Sequence, residues 1–171
     1  MEVAANQKVM DIRKMYPTDW DSVANIYEQG IATGYATFEK SVPTFEVWDN
    51  AHLSSCRIVA IENGTIIGWA ALSPVSSRCV YGGVAEVSVY VAKEHTGKGI
   101  GKMLMLHLIP QSEKEGIWTL QSGIFPENEG SIALHKKVGF RYIGKREKVG
   151  QLDGMWKDNL LFERRSMIVG V

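Results

Sequence analysis

Cysteine is scarce. The 171 residues contain two, Cys56 and Cys79, isolated in sequence and without a CxxC pair or a His-rich neighbourhood. That argues against any metal site of the common structural zinc type. Two buried thiols in a reducing cytoplasm is the expectation, with a single disulfide as the alternative. An excess of either charge is also missing, because 19 Lys and Arg balance 19 Asp and Glu. A general nucleic-acid binder needs a basic face, so that class is set aside, and an anionic ligand must be held by a local site. Long apolar runs are absent. Nothing approaches the ~20 residues of a membrane span, and Met1 to Lys8 is polar and mixed, unlike a secretory leader. No repeat, low-complexity tract or Pro/Ser/Gly linker divides the chain. The expectation is a cytoplasmic protein, no membrane partner, and one domain over residues 9–166 between short tails at 1–8 and 167–171.

What is present fits that expectation. A hydrophobic share of 45% and a charged share of 22% are those of a globular domain able to bury one core. Val9 to Met15 alternates as a first strand. Pro17-Thr18-Asp19-Trp20-Asp21 marks a helix start with Thr18 as cap, and Val23, Ile26, Tyr27 and Gly30 form its apolar face. A short second helix follows Pro43. Arg57 to Glu62, Asn63-Gly64 and Thr65 to Leu72 form a hairpin with a type I′ turn. Val84 to Val91 is a strand with one apolar face and one carrying Glu86, Ser88 and Tyr90. A helix with Ile100, Met103, Leu104, His107 and Leu108 at helical spacing follows, kinked or ended by Pro110. A strand over Ile117 to Ile124, a helix from Asn128 to Val138 stopped by Gly139, and strands over Phe140 to Val149 and Asn159 to Arg165 complete the chain. The pattern is a single-domain α/β fold with a mixed sheet.

The segment Glu94-His95-Thr96-Gly97-Lys98-Gly99-Ile100-Gly101-Lys102 joins the glutamate-bearing strand to that helix. Three glycines remove Cβ atoms, and the helix start offers unpaired N–H groups and a positive dipole end, which suits phosphate oxygens. Spacing narrows the choice. A Walker loop would place Thr96 at its first glycine and Met103 at its magnesium-binding hydroxyl; a dinucleotide fingerprint would need glycine at Lys102. Neither fits, which leaves another phosphate cradle or a plain tight turn.

The run from Val89 to Leu104 resembles the central motif of the GNAT superfamily of acetyltransferases, Q/R-x-x-G-x-G/A, with Glu94 in place of Gln or Arg. Asn128 to Phe140 resembles its second signature, N-x-x-S/A-x-x-L-x-x-x-x-G-F. Ala36-Thr37-Phe38-Glu39, Arg78 with Tyr81, Val84 to Val91, Leu134-His135 and Trp156-Lys157-Asp158 are similar to the branch of phosphinothricin and methionine sulfoximine N-acetyltransferases. The likeness runs from about Met10 to Arg165. It implies a GNAT-like acyl-CoA N-acyltransferase fold, a central, largely antiparallel mixed sheet flanked by helices, with acetyl-CoA as co-substrate, no metal, and a homodimer.

The resemblance also implies roles. Cofactor contacts fall to Val89, Tyr90 and Val91, whose backbone amides would polarise the thioester carbonyl. They extend to Thr96, Gly97, Lys98, Gly99, Ile100, Gly101 and Lys102 for the pyrophosphate, and to Asn128 and Ser131, which also suit helix capping. An amine with a pKa near ~8 must lose a proton before attack. Glu86 is the candidate base, or else a carboxylate that orders the substrate ammonium. His135 stands where many relatives protonate the leaving thiolate, and a buried structural role is its alternative. The acceptor side takes Phe38, Glu39, Arg78, Tyr81, Glu86, Val87 and Ser88; Arg78 either grips a carboxylate or phosphinate or is a solvated surface residue. His95 and His107 are read as loop and core residues. The leading function is N-acetylation of a small L-amino acid analogue such as phosphinothricin or methionine sulfoximine. Another amine acceptor (a protein N-terminus, polyamine or aminoglycoside) and a non-catalytic acyl-CoA-binding module are the competing readings.

Overall fold

The computed structural model describes residues 10–171. Seven strands form one sheet in the order β1-β2-β3-β4-β5-β7-β6. They are β1 (Met10–Lys14), β2 (Ile58–Glu62), β3 (Thr65–Pro74), β4 (Val84–Val91), β5 (Thr119–Ile124), β6 (Arg141–Leu152) and β7 (Met155–Arg165). Helices α1 (Trp20–Ala32), α2 (Phe45–Ala51), α3 (Ile100–Lys114) and α4 (Glu129–Lys137) cover its faces. Every neighbouring pair is antiparallel except β4 with β5. The element order and the mixed, largely antiparallel sheet are those expected; Val9, placed in the first strand by its pattern, lies outside the described residues.

Two apolar layers sandwich the sheet. On one face α1 and α2 pack Val23, Ile26, Tyr27 and Trp48 against Val59, Trp69 and Ala71. On the other, α3 packs Ile100, Leu104, Met105 and Leu108 against Ile58, Ala70, Ala85 and Phe162. The alternation of β4 explains why it can serve both: Ala85 and Val87 are buried toward α3, while Glu86, Ser88 and Tyr90 face the α1 side. The Asn63-Gly64 turn has both residues at positive φ, 50° and 81°, as a type I′ hairpin requires.

Several local expectations need correction. Thr18 does not cap α1. Asp19 occupies that position, and its carboxylate accepts from Arg13 at 2.7 and 2.9 Å and from the Tyr16 amide at 2.7 Å. Pro110 does not end α3, which continues to Lys114; the turn beyond it is tied in by buried Ser112, whose Oγ donates to the Ile109 carbonyl at 2.7 Å. His107 is exposed, not core, because Met105, Leu108 and Ile109 take the buried stripe. Cys56 is buried but Cys79 is exposed, in a short turn before β4, and both are free thiols. The last two strands run longer than expected and meet in a second tight turn, Asp153-Gly154, with φ of 49° and 77°.

Candidate active site

The parallel ladder between β4 and β5 is short. It pairs Val84 with Thr119, Ala85 with Leu120 and Glu86 with Gln121, and then stops, although both strands continue. The Ala92 amide donates to the Ile67 carbonyl on the β3 side at 2.8 Å. By the two-residue period of a strand, the amides of Val87, Val89 and Val91 point away from β3; that of Val87 closes the last rung, on the Gln121 carbonyl, and those of Val89 and Val91 face the opening beside β5. Tyr90 has its amide toward β3 and its ring stacked on Trp69, with centroids 4.9 Å apart. A cleft of about 1310 Å³ fills the opening.

The glycine loop forms one end of this cleft. Gly97 and Gly99 adopt φ of 75° and 83°, and Gly99 is the residue from which α3 begins. No well-formed hydrogen bond within the described residues uses the amides of residues 97–102. These donors gather at a helix start where a Cβ at position 97 or 99 would meet nothing within 4 Å. Such a cradle fits the diphosphate of a coenzyme A thioester. Thr96, Gly97, Gly99, Ile100, Gly101 and Lys102 line the cleft; Lys98 is exposed on the outer side of the loop and does not. Across from the loop, Asn128 caps α4 by accepting from the Ser131 amide at 3.2 Å, and both residues also line the cleft.

The opposite end has a different character. Glu86 is half-buried and, among the described residues, accepts a single long bond, from Gln121 Nε2 at 3.3 Å. Val87 and Ser88 line the cleft beside it. The segment after α1 folds over this end: Phe38 meets Phe125 edge-on with centroids 4.6 Å apart, and Glu39 lines the same space. Burial, reinforced by Tyr27, holds the Tyr90 phenol well above its ordinary pKa, so it stays protonated. Arg78 and Tyr81 are not brought here. They sit on the exposed turn before β4, with the guanidinium carbon 5.7 Å from the centre of the Tyr81 ring.

His135 is buried on α4. Its Nδ1 lies 2.7 Å from the Ser131 carbonyl, which can only accept, so Nδ1 carries the proton. Nε2 then accepts from the Ser122 hydroxyl at 2.8 Å. Burial lowers the pKa of the ring, which is therefore neutral, while the Ser131 bond opposes that shift. Ser122, on β5 between Leu120 and Ile124, was not singled out from sequence; a lone hydroxyl on an otherwise apolar strand face was the available signal. No cluster of three His, Cys, Asp or Glu side chains that could hold a metal occurs among the described residues.

A splayed pair of central strands, a left-handed glycine at a helix start and a carboxylate at the far end of one cleft make a recognisable combination. The profile of the acetyltransferase (GNAT) family matches residues 14–140. The chain belongs to the GNAT family of acetyltransferases. An L-methionine sulfoximine/L-methionine sulfone acetyltransferase of Pseudomonas paraeruginosa is 34% identical over 153 residues, covering 86% of this chain and 89% of its own. A phosphinothricin N-acetyltransferase of Alcaligenes faecalis is 30% identical over 164 residues, 90% and 81% of the two chains. The GNAT superfamily phosphinothricin acetyltransferase of Sinorhizobium meliloti, solved in complex with acetyl-CoA, superposes with a TM-score of 0.82 at 29% identity, covering 91% of this chain and 88% of that one. This GNAT protein is an acetyl-CoA-dependent N-acetyltransferase.

Proposed function

We propose that this GNAT enzyme acetylates the amino group of a small L-amino acid analogue of the phosphinothricin or methionine sulfoximine type, by direct transfer from acetyl-CoA. The observation that carries the reading is that Glu86 and the open amides of Val89 and Val91 share one cleft beyond the last β4–β5 pair. Relatives named for those two substrates, covering most of both chains, support the acceptor class.

Acetyl-CoA supplies the acetyl group as an activated thioester. The amides of residues 97–102 hold its diphosphate, with Asn128 and Ser131 along the arm that connects it to the acetyl end. The Val89 and Val91 amides offer preorganised donors to the carbonyl oxygen as it gains negative charge, a contribution of about 3–4 kcal/mol per donor in comparable sites. Glu86, directly or through a water, takes the proton that makes the ammonium a nucleophile. The proton that the attacking nitrogen sheds as the amide forms goes to the departing sulfur, while neutral His135, with no proton on Nε2, fixes the Ser122 hydroxyl in the cleft wall. Phe38 and Glu39 close the acceptor end.

The same reading places the protein in the cytoplasm as a homodimer, for which exposed Val80 and Tyr81 offer apolar surface. Thiol release with acetyl-CoA and a panel of amines tests the function. Release with methionine sulfoximine or phosphinothricin, but not with peptides, polyamines or aminoglycosides, is expected. Release only with one of the latter would reassign the acceptor, and binding of acetyl-CoA without turnover on any amine would make the protein a sensor.

A further inference from the structure

A guanidinium at the acceptor end of the cleft has no ion pair among the described residues. Arg146 on β6 lines the acceptor end, and its only hydrogen bond among the described residues runs from Nη2 to Asn159 Oδ1 on β7, at 2.9 Å. Two neighbouring cations are engaged, Lys145 with Glu147 and Asp158, and Lys157 with Glu127. Arg146 and Asn159 are direct cross-strand partners. The ladder also tells which face they occupy. Gly123 pairs with Leu161 and Gln121 with Glu163, so Gln121, Gly123 and Asn159 share the side of the sheet that bears Glu86. Asn159 presses so closely on Gly123 that a Cβ there would stand 2.6 Å from its Oδ1. Asn159 is buried and lines the cleft, yet its Nδ2 makes no hydrogen bond within the described residues.

The acceptor end therefore carries both signs, carboxylates Glu86 and Glu39 together with a guanidinium and a carboxamide N–H. Such a pattern fits a zwitterion. We infer that Arg146, aimed by Asn159, receives the anionic group of the acceptor, and that this pair sets the enzyme's preference for amines bearing a carboxylate. This rests on the acceptor class proposed above, and it assigns the anion to Arg146 in place of the exposed Arg78. Arg146 is a binding residue; Asn159 is a positioning residue that acts through it.

The test compares L-methionine sulfoximine with its decarboxylated amine, as kcat/KM and as calorimetric Kd on enzyme saturated with coenzyme A. Wild type should prefer the acid by roughly tenfold to a hundredfold, the worth of a charge-assisted bidentate contact. Arg146→Gln should lose that preference, mainly in KM, and Arg146→Lys should recover part of it. Asn159→Asp is the sharper variant: it keeps the arginine but hands it an internal carboxylate, so the preference should vanish with the fold and acetyl-CoA affinity retained. Equal wild-type affinity for acid and amine, binding of neither, or a preference surviving in Arg146→Gln would each overturn the inference. If carboxylate-dependent binding is present and lost in the variant but no thiol is released, the anion site stands and the proposed reaction fails.

Discussion

Among the described residues Glu86 accepts one weak hydrogen bond and lines the cleft, a setting that supports the base proposed for it. Glu86→Gln is expected to lower kcat by about a hundredfold or more, while the Kd for acetyl-CoA moves less than about threefold. A rate that keeps its wild-type pH profile in that variant would remove the base role. His135 makes a different prediction. Burial keeps its folded pKa below the 6.5 of the unfolded chain, so as the pH falls through that value the unfolded state takes up a proton that the folded state refuses. Stability is then complete above pH ~6.5 and declines below it; His52, lowered mainly by burial, adds to the same trend. Urea midpoints at about pH 7.5 and 5.5 should differ less in His135→Gln than in wild type. The cleft position of Glu86 was legible, because a carboxylate on a strand of valines is conspicuous. Those of Ser122, Arg146 and Asn159 were not. They arise from pairings across β5, β7 and β6, and a linear pattern does not show which residues a ladder sets opposite each other.

The elements carry predictions of their own. Gly99 holds φ of 83° in open space, so an alanine there would meet no atom and would suffer only the left-handed backbone cost of about 1–2 kcal/mol. Gly99→Ala should lower Tm by roughly 2–8 °C and weaken acetyl-CoA binding; an unchanged Kd would show that the cradle does not depend on this conformation. Gly150 is constrained by contact instead. A Cβ there would stand 2.8 Å from the Phe38 ring, which is itself braced on Phe125. Gly150→Ala should push the acceptor lid outward, raising acceptor KM about tenfold with acetyl-CoA KM nearly constant, an overpacking effect of 1–3 kcal/mol in scale. Steady-state kinetics in both substrates separates the two glycines. Elements with local signals were legible: Asn63-Gly64 set a hairpin, and Asn128 with Gly139 bounded α4 within a residue. Asp153-Gly154 carried an equally good turn signal. Without that turn β6 and β7 come out too short, ending at Val149 and restarting at Asn159, and lack the outer rungs that pair Gly150 with Lys157, Gln151 with Trp156 and Leu152 with Met155.

For the whole molecule, stability and substrate binding are linked. Acetyl-CoA at about 100 times its Kd should raise stability by about 2.7 kcal/mol, or Tm by roughly 5–11 °C for a chain of this size. A thermal scan with and without it checks this, and no shift would contradict the placement of the cradle. Fold class and element order followed from two separated motifs and hydrophobic period, because both are local. The division of the cleft between its phosphate end and its acceptor end depends on how seven strands stack side by side, and Arg78 shows the limit: adjacent to β4 in sequence, it points elsewhere in space. The early end of the β4–β5 ladder bears on more than catalysis. A sheet parted along its middle leaves Val89 and Val91 with donors that face the cleft and its solvent in the free protein, so their amide protons should exchange faster than those of the paired strands on either flank. The chain has, in effect, left its own architecture one rung short, and under the proposed mechanism the molecule that supplies the missing rung is the one it consumes.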